Sequence, residues 1–435
     1  MKELEIVKEI LKTDHLFLTG GGGVGKSYLT AKLIEEYKKD KKQVVVLGST
    51  GISAVNIGGQ TIHSFFAFGI CKNTEELLRH DKNRKRQLKE LNGILSNTNL
   101  LIIDEISMVS ATLMEMIRYR LNISGFNGSI LFVGDFFQLP PVRKKDEFDG
   151  GSLFGDEIYA FESSAWKNYN PKILELTGSK RTNDRLFFDI LNRVRKGEID
   201  DEVMLFFENL RQNRAVMLLN PTILFGRNYE ADNMNRRRLD EIDDELRVFN
   251  AEFNLNEKSL NQNRIESWRK SLNIPLKLEL KNGAHILFCV NKWGKFYNGE
   301  RGIVRGIFDE YLLIEKGTEF IKVEPYEFAL YENILDGSEI KSKTLATLKQ
   351  FPIKLAYAIT IHKSQGMSIE RLVCDIDNIF ENSQFYVAVS RAVSAKNLYI
   401  RYSRGDFDSY LKRCVKTDNR VKEFYNNVQT MNVLK

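Results

Sequence analysis

The stretch Leu16-Phe-Leu-Thr-Gly-Gly-Gly-Gly-Val-Gly-Lys-Ser-Tyr28 restricts what this chain can fold into more than any other. A short apolar run, Leu16 to Leu18, enters a glycine cluster and leaves it as a helical pattern with Leu29 and Leu33 four residues apart. Gly20, Gly25, Lys26 and Ser27 keep the spacing glycine, four residues, then glycine-lysine-serine. Strand, glycine loop and helix in that order form a phosphate cradle. The glycines let the backbone curl with its N–H groups inward, and the helix opening near Lys26 aims its positive end at the same anion. Lys26 can reach the β- and γ-phosphates of a nucleoside triphosphate, and Ser27 can ligate magnesium.

The runs Val44-Val-Val-Leu47, Leu100-Leu-Ile-Ile103 and Ile130-Leu-Phe-Val133 are continuously apolar, as strands buried on both faces of a parallel sheet must be. Each gives way to polar residues: Ser49-Thr50, Asp104-Glu105 and Gly134-Asp135. Ligands of open α/β sheets bind at the carboxyl ends of the strands, so these residues should converge beside the nucleotide. Residues 1–12 and 110–121 read as helices. A second α/β unit has strand candidates at 222–225, 355–359, 372–376, 386–389 and 398–400. It has no second glycine-lysine-serine loop, since Gly294-Lys295 is followed by Phe296 and reads as an ordinary turn. The second unit is therefore expected to lend residues to the one nucleotide site.

Two stretches interrupt the alternation. Residues 66–91 are aromatic and then basic, with Arg79, Lys82, Arg84, Lys85, Arg86 and Lys89 crowded together. Residues 236–275 are charged and asparagine-rich and suit an exposed helical connector. After Pro275, short alternating runs to Val323 are broken by Asn282-Gly283, Asn298-Gly299 and Lys316-Gly317, the pattern of a small antiparallel barrel or meander. The net charge of +6 on 435 residues is compatible with a polyanionic partner but does not diagnose one. Four dispersed cysteines have no metal-ligand spacing and suggest a reducing compartment. The absence of a signal-peptide core or long apolar span makes a soluble, cytoplasmic protein the expectation, nucleoid-associated if bacterial, with no membrane partner.

Asp104-Glu105 closes an apolar strand, which places the aspartate to hold magnesium and the glutamate to orient or deprotonate an attacking water. That pairing points to a hydrolase. Gln138, just beyond Gly134-Asp135, can hydrogen-bond the γ-phosphate or the water. Further along, Ser49-Thr-Gly-Ile-Ser-Ala-Val-Asn-Ile-Gly-Gly-Gln-Thr-Ile-His-Ser-Phe-Phe66, Ile103-Asp-Glu-Ile-Ser-Met-Val109 and Gly134-Asp-Phe-Phe-Gln-Leu-Pro-Pro-Val142 follow in order. Ile359-Thr-Ile-His-Lys-Ser-Gln-Gly-Met367 and Phe385-Tyr-Val-Ala-Val-Ser-Arg-Ala392 complete the set. Together they resemble the petite-integration-frequency (Pif) helicases, of superfamily one and near its RecD-like branch.

The resemblance implies an α/β fold of two RecA-like parallel-sheet domains, with ATP between them and single-stranded DNA across their tops. It places the first domain at 1–180, with a wedge insertion at 66–91. The second spans 181–240 and 346–435, and 241–345 is an insertion with connector and barrel (about 276–332), whose turn is Asn298-Gly-Glu-Arg-Gly-Ile-Val304. It implies ATP-driven 5′-to-3′ unwinding, with magnesium, on single-stranded and duplex or forked DNA, by a chain that is monomeric when free. Gly20, Gly21, Gly22, Gly23, Val24, Gly25, Lys26 and Ser27, with Gln365 and Gly366, would bind the nucleotide. Asp104 would join Ser27 at the metal, Glu105 would be the general base, Gln138 would sense the γ-phosphate, and Arg181 and Arg391 would reach across the cleft. Thr50, Gly51, His63, Ser64, Phe65, Thr360, His362 and Lys363 match DNA-contacting positions, with a stacking face among them. Two departures stand out: Glu3 falls near the place of the family's adenine-reading glutamine, and Thr182 follows Arg181 where a glutamine is usual. A DNA-stimulated ATPase that strips nucleoprotein with little unwinding shares every motif. A non-motor kinase or switch GTPase is disfavoured by the paired arginines and the lack of a guanine-reading motif.

Overall fold

The apolar runs around the glycine loop become neighbours in one parallel sheet. The computed structural model describes residues 2–50, 53–54, 59–69, 71–82, 84–141, 157–257, 260–292, 294–337 and 339–433. Its first sheet has seven strands, in the spatial order Thr430–Val433, Lys172–Leu176, Leu16–Thr19, Ser129–Val133, Leu100–Asp104, Val44–Gly48 and Gln60–Thr61. Every pairing is parallel. Phe17, Leu101, Ile103, Ile130 and Phe132 face one core and Leu16, Leu18, Ile102, Leu131 and Val133 the other. That two-sided burial is why no polar residue interrupts the runs. Helix Ala111–Ser124 starts where the Ser110 side chain accepts from the Leu113 N–H and stops at Gly125 in the left-handed region.

The second sheet is also parallel, in the order Ala358–Thr360, Thr222–Phe225, Leu372–Asp375 and Leu398–Arg401. The strand expected at 386–389 is instead a helix, Gln384–Val389, with every residue buried. A short run buried all round has no period from which strand and helix can be told apart. Only the end of the 355–359 run belongs to this sheet, because Ile353–Leu355 pairs with His285–Phe288 elsewhere.

Between the halves of the second unit, five antiparallel strands follow the spatial order Glu319–Val323, Leu312–Lys316, Arg301–Ile307, His285–Phe288 and Ile353–Leu355. A long hairpin, Tyr326–Asp336 and Glu339–Gln350, shares their core through Phe328 and Leu348. The 236–275 stretch is not simply a helical connector. It contributes strands Arg247–Asn250 and Glu252–Leu255, drawn in by Phe249 and Phe253, before the helix Gln262–Ser271. The hairpin's far end reaches the first unit: Leu335 and Ile340 pack on its core, and Gln60 Nε2 donates to the Tyr331 carbonyl at 2.8 Å.

The chain's last elements also depart from the expected partition, which gave 346–435 to the second unit. Helix Asn419–Asn427 inserts Val421 and Phe424 into the first core, Phe424 meeting Phe17, Phe136, Phe161 and Trp166, and strand Thr430–Val433 extends the first sheet. Aromatic burial decides this return, since Phe424 finds four rings there. In the 66–91 stretch, Phe66 and Phe68 are buried and stacked at 5.3 Å, and helices Thr74–Asp81 and Lys85–Ser96 carry the basic residues outward. Among the described residues no helix is long and apolar enough to cross a membrane.

Candidate nucleotide and nucleic-acid sites

The glycine loop is shaped by close approach. Gly20 lies at φ +138°, and a Cβ there would stand 2.4 Å from the Leu176 carbonyl oxygen. Gly23, at φ +81°, would place one 2.6 Å from Arg181 Cβ. Lys26 opens the helix Lys26–Lys39, and its ammonium donates to the Gly20 and Gly21 carbonyls at 2.7 and 3.0 Å. Desolvation pushes that ammonium below the usual lysine range, against the pull of Asp135, Glu105 and Asp104.

Asp104 ends its strand half-buried, and Glu105 follows with φ +54°, a left-handed backbone at a non-glycine residue. Such strain is held only where surrounding structure fixes it. Desolvation first, and the Glu105 charge second, lift the Asp104 carboxyl to about 7. Desolvation also raises Glu105, while Lys26 and Arg391 pull it the other way. Two adjacent desolvated carboxyls that resist ionising together are a donor set suited to a hard divalent cation, which would relieve both. Asp104 with the exposed Ser27 hydroxyl fits that requirement.

The second unit covers the loop. Tyr386 Oη accepts from the Gly22 N–H at 2.8 Å, and a Cβ on Gly22 would lie 3.3 Å from Arg391 Nη2. Arg391 is 2 % exposed and donates to the Val387 carbonyl at 2.9 Å and Ser390 Oγ at 2.8 Å. Arg181 Nε donates to Ser368 Oγ at 2.8 Å and its Nη1 to the Ser390 carbonyl. Burial, then the charge of Arg391, lowers the Arg181 guanidinium to about 9, and burial lowers Arg391 as well. Among the described residues both arginines are held by serine hydroxyls and main-chain carbonyls and neither forms an ion pair with a carboxylate. Two guanidiniums desolvated side by side without a directly paired carboxylate, Glu105 and Asp135 acting on Arg391 through the field alone, are poised for an anion. Gln138 is buried with its N–H on the Asp135 carbonyl at 2.9 Å. Gln365 Nε2 is buried with no hydrogen-bond partner among the described residues, beside Gly366 at φ +76°.

Behind the loop lies a network that sequence reasoning did not single out. Arg195 donates to both Asp135 oxygens, with Nε–Oδ2 at 3.0 Å and Nη2–Oδ1 at 2.9 Å, and to Glu175 at 2.8 Å. Its guanidinium lies over Phe137 and Tyr425, and Tyr425 Oη meets Thr19 Oγ1 at 2.8 Å. Asp135 stood out as a polar strand end, but no local pattern marks Arg195 or Tyr425. Tyr386 lay inside a quoted motif without a role.

The positions matched to DNA contacts fall into two groups, one on each sheet. Thr50 Oγ1 accepts from the Ser53 N–H at 3.2 Å, and Gly51 lies outside the described residues. His63 is exposed with its ring edge-on to Phe68, and the Ser64 hydroxyl is buried with no hydrogen-bond partner among the described residues. Phe65 is 7 % exposed and packs against Phe66, so it supplies core and not a stacking face. In the second group Thr360 is buried, His362 Nε2 meets Glu381 Oε2 at 3.0 Å, and Lys363 is exposed.

A family model described as PIF1-like helicase matches residues 4–204, and one described as Helicase matches 312–414. The chain is 45% identical over 431 residues to a protein named ATP-dependent DNA helicase Pif1 from Campylobacter jejuni, covering 96% of each. Among solved structures it is similar to Bacteroides sp Pif1 in complex with ADP-AlF4, at TM-score 0.84 and 26% identity over 98% of this chain and 96% of that one. Bacteroides Pif1 bound to ssDNA matches with the same identity and coverage at TM-score 0.65.

Proposed function

The chain belongs to the PIF1-like helicase family, and from that footing we propose that it is an ATP-driven motor moving 5′-to-3′ on single-stranded DNA and separating duplex or forked DNA ahead of it. The observation that carries the reading is the meeting of Arg181 and Arg391 on a glycine loop that also faces the Asp104–Glu105 pair. Such a site can hold a triphosphate from both units and stabilise charge that builds on its terminal phosphoryl group.

In the proposed cycle the loop N–H groups and Lys26 bind the β- and γ-phosphates. Glu105 accepts a proton from the attacking water as oxygen bonds to the γ-phosphorus. The bond to the ADP oxygen breaks, and Gln138 orients the water or γ-phosphate. Arg181 and Arg391 take up the developing charge, a role typically worth about 10³–10⁵ in rate for one arginine. Magnesium, held by Ser27 and Asp104, would supply charge neutralisation on the phosphates. Gln365 and Gly366 complete the nucleotide contacts. Thr50, His63, Ser64, Thr360, His362 and Lys363 line the proposed strand path, to which the family resemblance also assigns Gly51, and 66–91 is its wedge. The same footing supports the division into two motor domains with a barrel insertion, a monomeric state when free, and replication, repair or recombination as the setting.

The test is steady-state ATP hydrolysis with and without single-stranded DNA, for the unaltered chain and Glu105→Gln, with unwinding of duplexes carrying a 5′ or a 3′ tail. Stimulation by DNA, abolished in Glu105→Gln, and unwinding from the 5′ tail alone are expected. Stimulation without unwinding from either tail would leave a nucleoprotein-remodelling ATPase, and no stimulation would overturn the motor reading.

A further inference from the structure

The burial of Phe65 leaves the strand path without its anticipated stacking ring, and the second sheet offers a replacement. Three loops meet at the carboxyl ends of its strands. Asn378, after Leu372–Asp375, donates to Glu230 Oε1 at 2.5 Å, and a Cβ on Gly226 would lie 2.4 Å from the Asn378 carbonyl oxygen. The Ile361 N–H donates to the Phe225 carbonyl at 3.0 Å, tying in the loop of His362 and Lys363. Flanking this junction, Tyr229 is 64 % and Phe380 60 % exposed.

A lone exposed aromatic means little. Here two stand on either side of one loop contact, and their backbones are fixed. The buried Gln384 accepts from the N–H groups of Phe380 and Glu381 at 2.9 and 3.2 Å, and Tyr229 sits in the first turn of helix Asn228–Asp240. Exposed cations, Arg227 and Lys363, lie on the same loops. Three carboxylates beside these loops are engaged within the protein: Glu230 through Oε1 with Asn378, Asp377 with the Ser403 N–H, and Glu381 with His362. Exposed aromatic faces on anchored backbone, with accessible cations on the same loops, match a strand of alternating phosphates and π-faced bases.

We infer that Phe380 and Tyr229 form a base-stacking platform for single-stranded DNA on the second unit, with Arg227 and Lys363 contacting the adjoining phosphates. This rests on the motor reading above and names the part of the track that grips bases. Stacking tolerates every base, as stepping along arbitrary sequence requires.

The test measures binding by fluorescence anisotropy of an oligo(dT) and of an abasic oligonucleotide of equal length, which keeps the phosphates and removes the stacking faces. The unaltered chain should prefer oligo(dT). In the Phe380→Ala/Tyr229→Ala protein, oligo(dT) binding should weaken about 5- to 150-fold while abasic binding holds, the range expected for losing base–aromatic stacking. Phe380→Trp should restore the preference, with tryptophan emission quenched by oligo(dT) and not by the abasic strand. Equal weakening on both strands, or no change on either, would overturn the platform and leave the motor reading standing. Failure of the unaltered chain to bind either oligonucleotide would overturn the motor reading and the platform with it.

Discussion

Arg195→Met probes how the two units are joined. The helix Arg185–Arg195 packs Phe187, Ile190, Leu191 and Val194 into the second unit's core, yet its last residue places a guanidinium on Asp135 and Glu175 of the first sheet. Asp135 is fully buried. Methionine keeps much of the apolar stem but leaves that carboxylate without its bidentate partner. Removing one member of a buried pair costs about 3–5 kcal/mol. Loss of the contacts over Phe137 and Tyr425 adds about 0.5–2 kcal/mol. For a denaturant slope of about 3 kcal/mol per M, the urea midpoint followed by circular dichroism should fall by about 1–2 M. Asp135→Asn added to Arg195→Met should cost less than the sum of the single changes, because the stranded charge is gone. Gly21 stands beside Arg195, so KM for ATP should rise as well. An unmoved midpoint in Arg195→Met, or strict additivity in the double variant, would refute the claim that this pair bears the junction.

Three further outcomes follow from particular groups. Asp104 has a folded pKa raised from 3.8 to about 7, so the stability it contributes is complete below the lower value and lost as pH rises through the upper one. The nucleotide-free protein should melt at progressively lower temperature across that window, and Asp104→Asn should flatten the fall. The buried Arg120 pairs with Asp81 and donates to the Phe66 carbonyl at 3.1 Å, fixing the base of the 66–91 arm. Arg120→Ala should cost about 3 kcal/mol in urea unfolding and reduce duplex unwinding far more than DNA-stimulated hydrolysis. Neutralising Arg79, Lys82, Lys85, Arg86 and Lys89, of which Arg86 is 95 % exposed, should weaken forked-DNA binding and flatten its salt dependence in an anisotropy titration.

What was legible in the sequence was what short-range chemistry dictates. Leu16–Leu18, Leu100–Ile103 and Ile130–Val133 had to be interior strands because nothing in them tolerates water, and the glycine spacing admits few other backbones. The helix Gln384–Val389 read as a strand because burial on every side erases periodicity. Phe65 looked available for stacking because sequence shows an aromatic but not the Phe66 ring packed against it. Arg195 was invisible because its meaning lies in partners 60 and 20 residues away.

The return of the C-terminus bears on how the two units can move. The chain passes from the first sheet to the second unit after Leu176 and comes back before Asn419, so two connections cross beside the cleft. Thr417 Oγ1 donates to the Arg195 carbonyl at 2.9 Å and Tyr425 stacks on Phe137 at 4.6 Å, which fastens the second crossing to the residues under the glycine loop. Opening the cleft away from this side breaks the Tyr386–Gly22 and Arg181–Ser368 hydrogen bonds, together with the hairpin's hold on the first unit through Leu335, Ile340 and the Gln60–Tyr331 hydrogen bond. Opening it on this side would tear the buried Arg195–Asp135 ion pair and the contacts of the Arg195 guanidinium over Phe137 and Tyr425. A hinge at Arg195 preserves that ion pair, and about it Arg391 moves toward and away from the loop while Arg181 stays with Gly23, to whose carbonyl the Lys180 N–H donates at 2.8 Å.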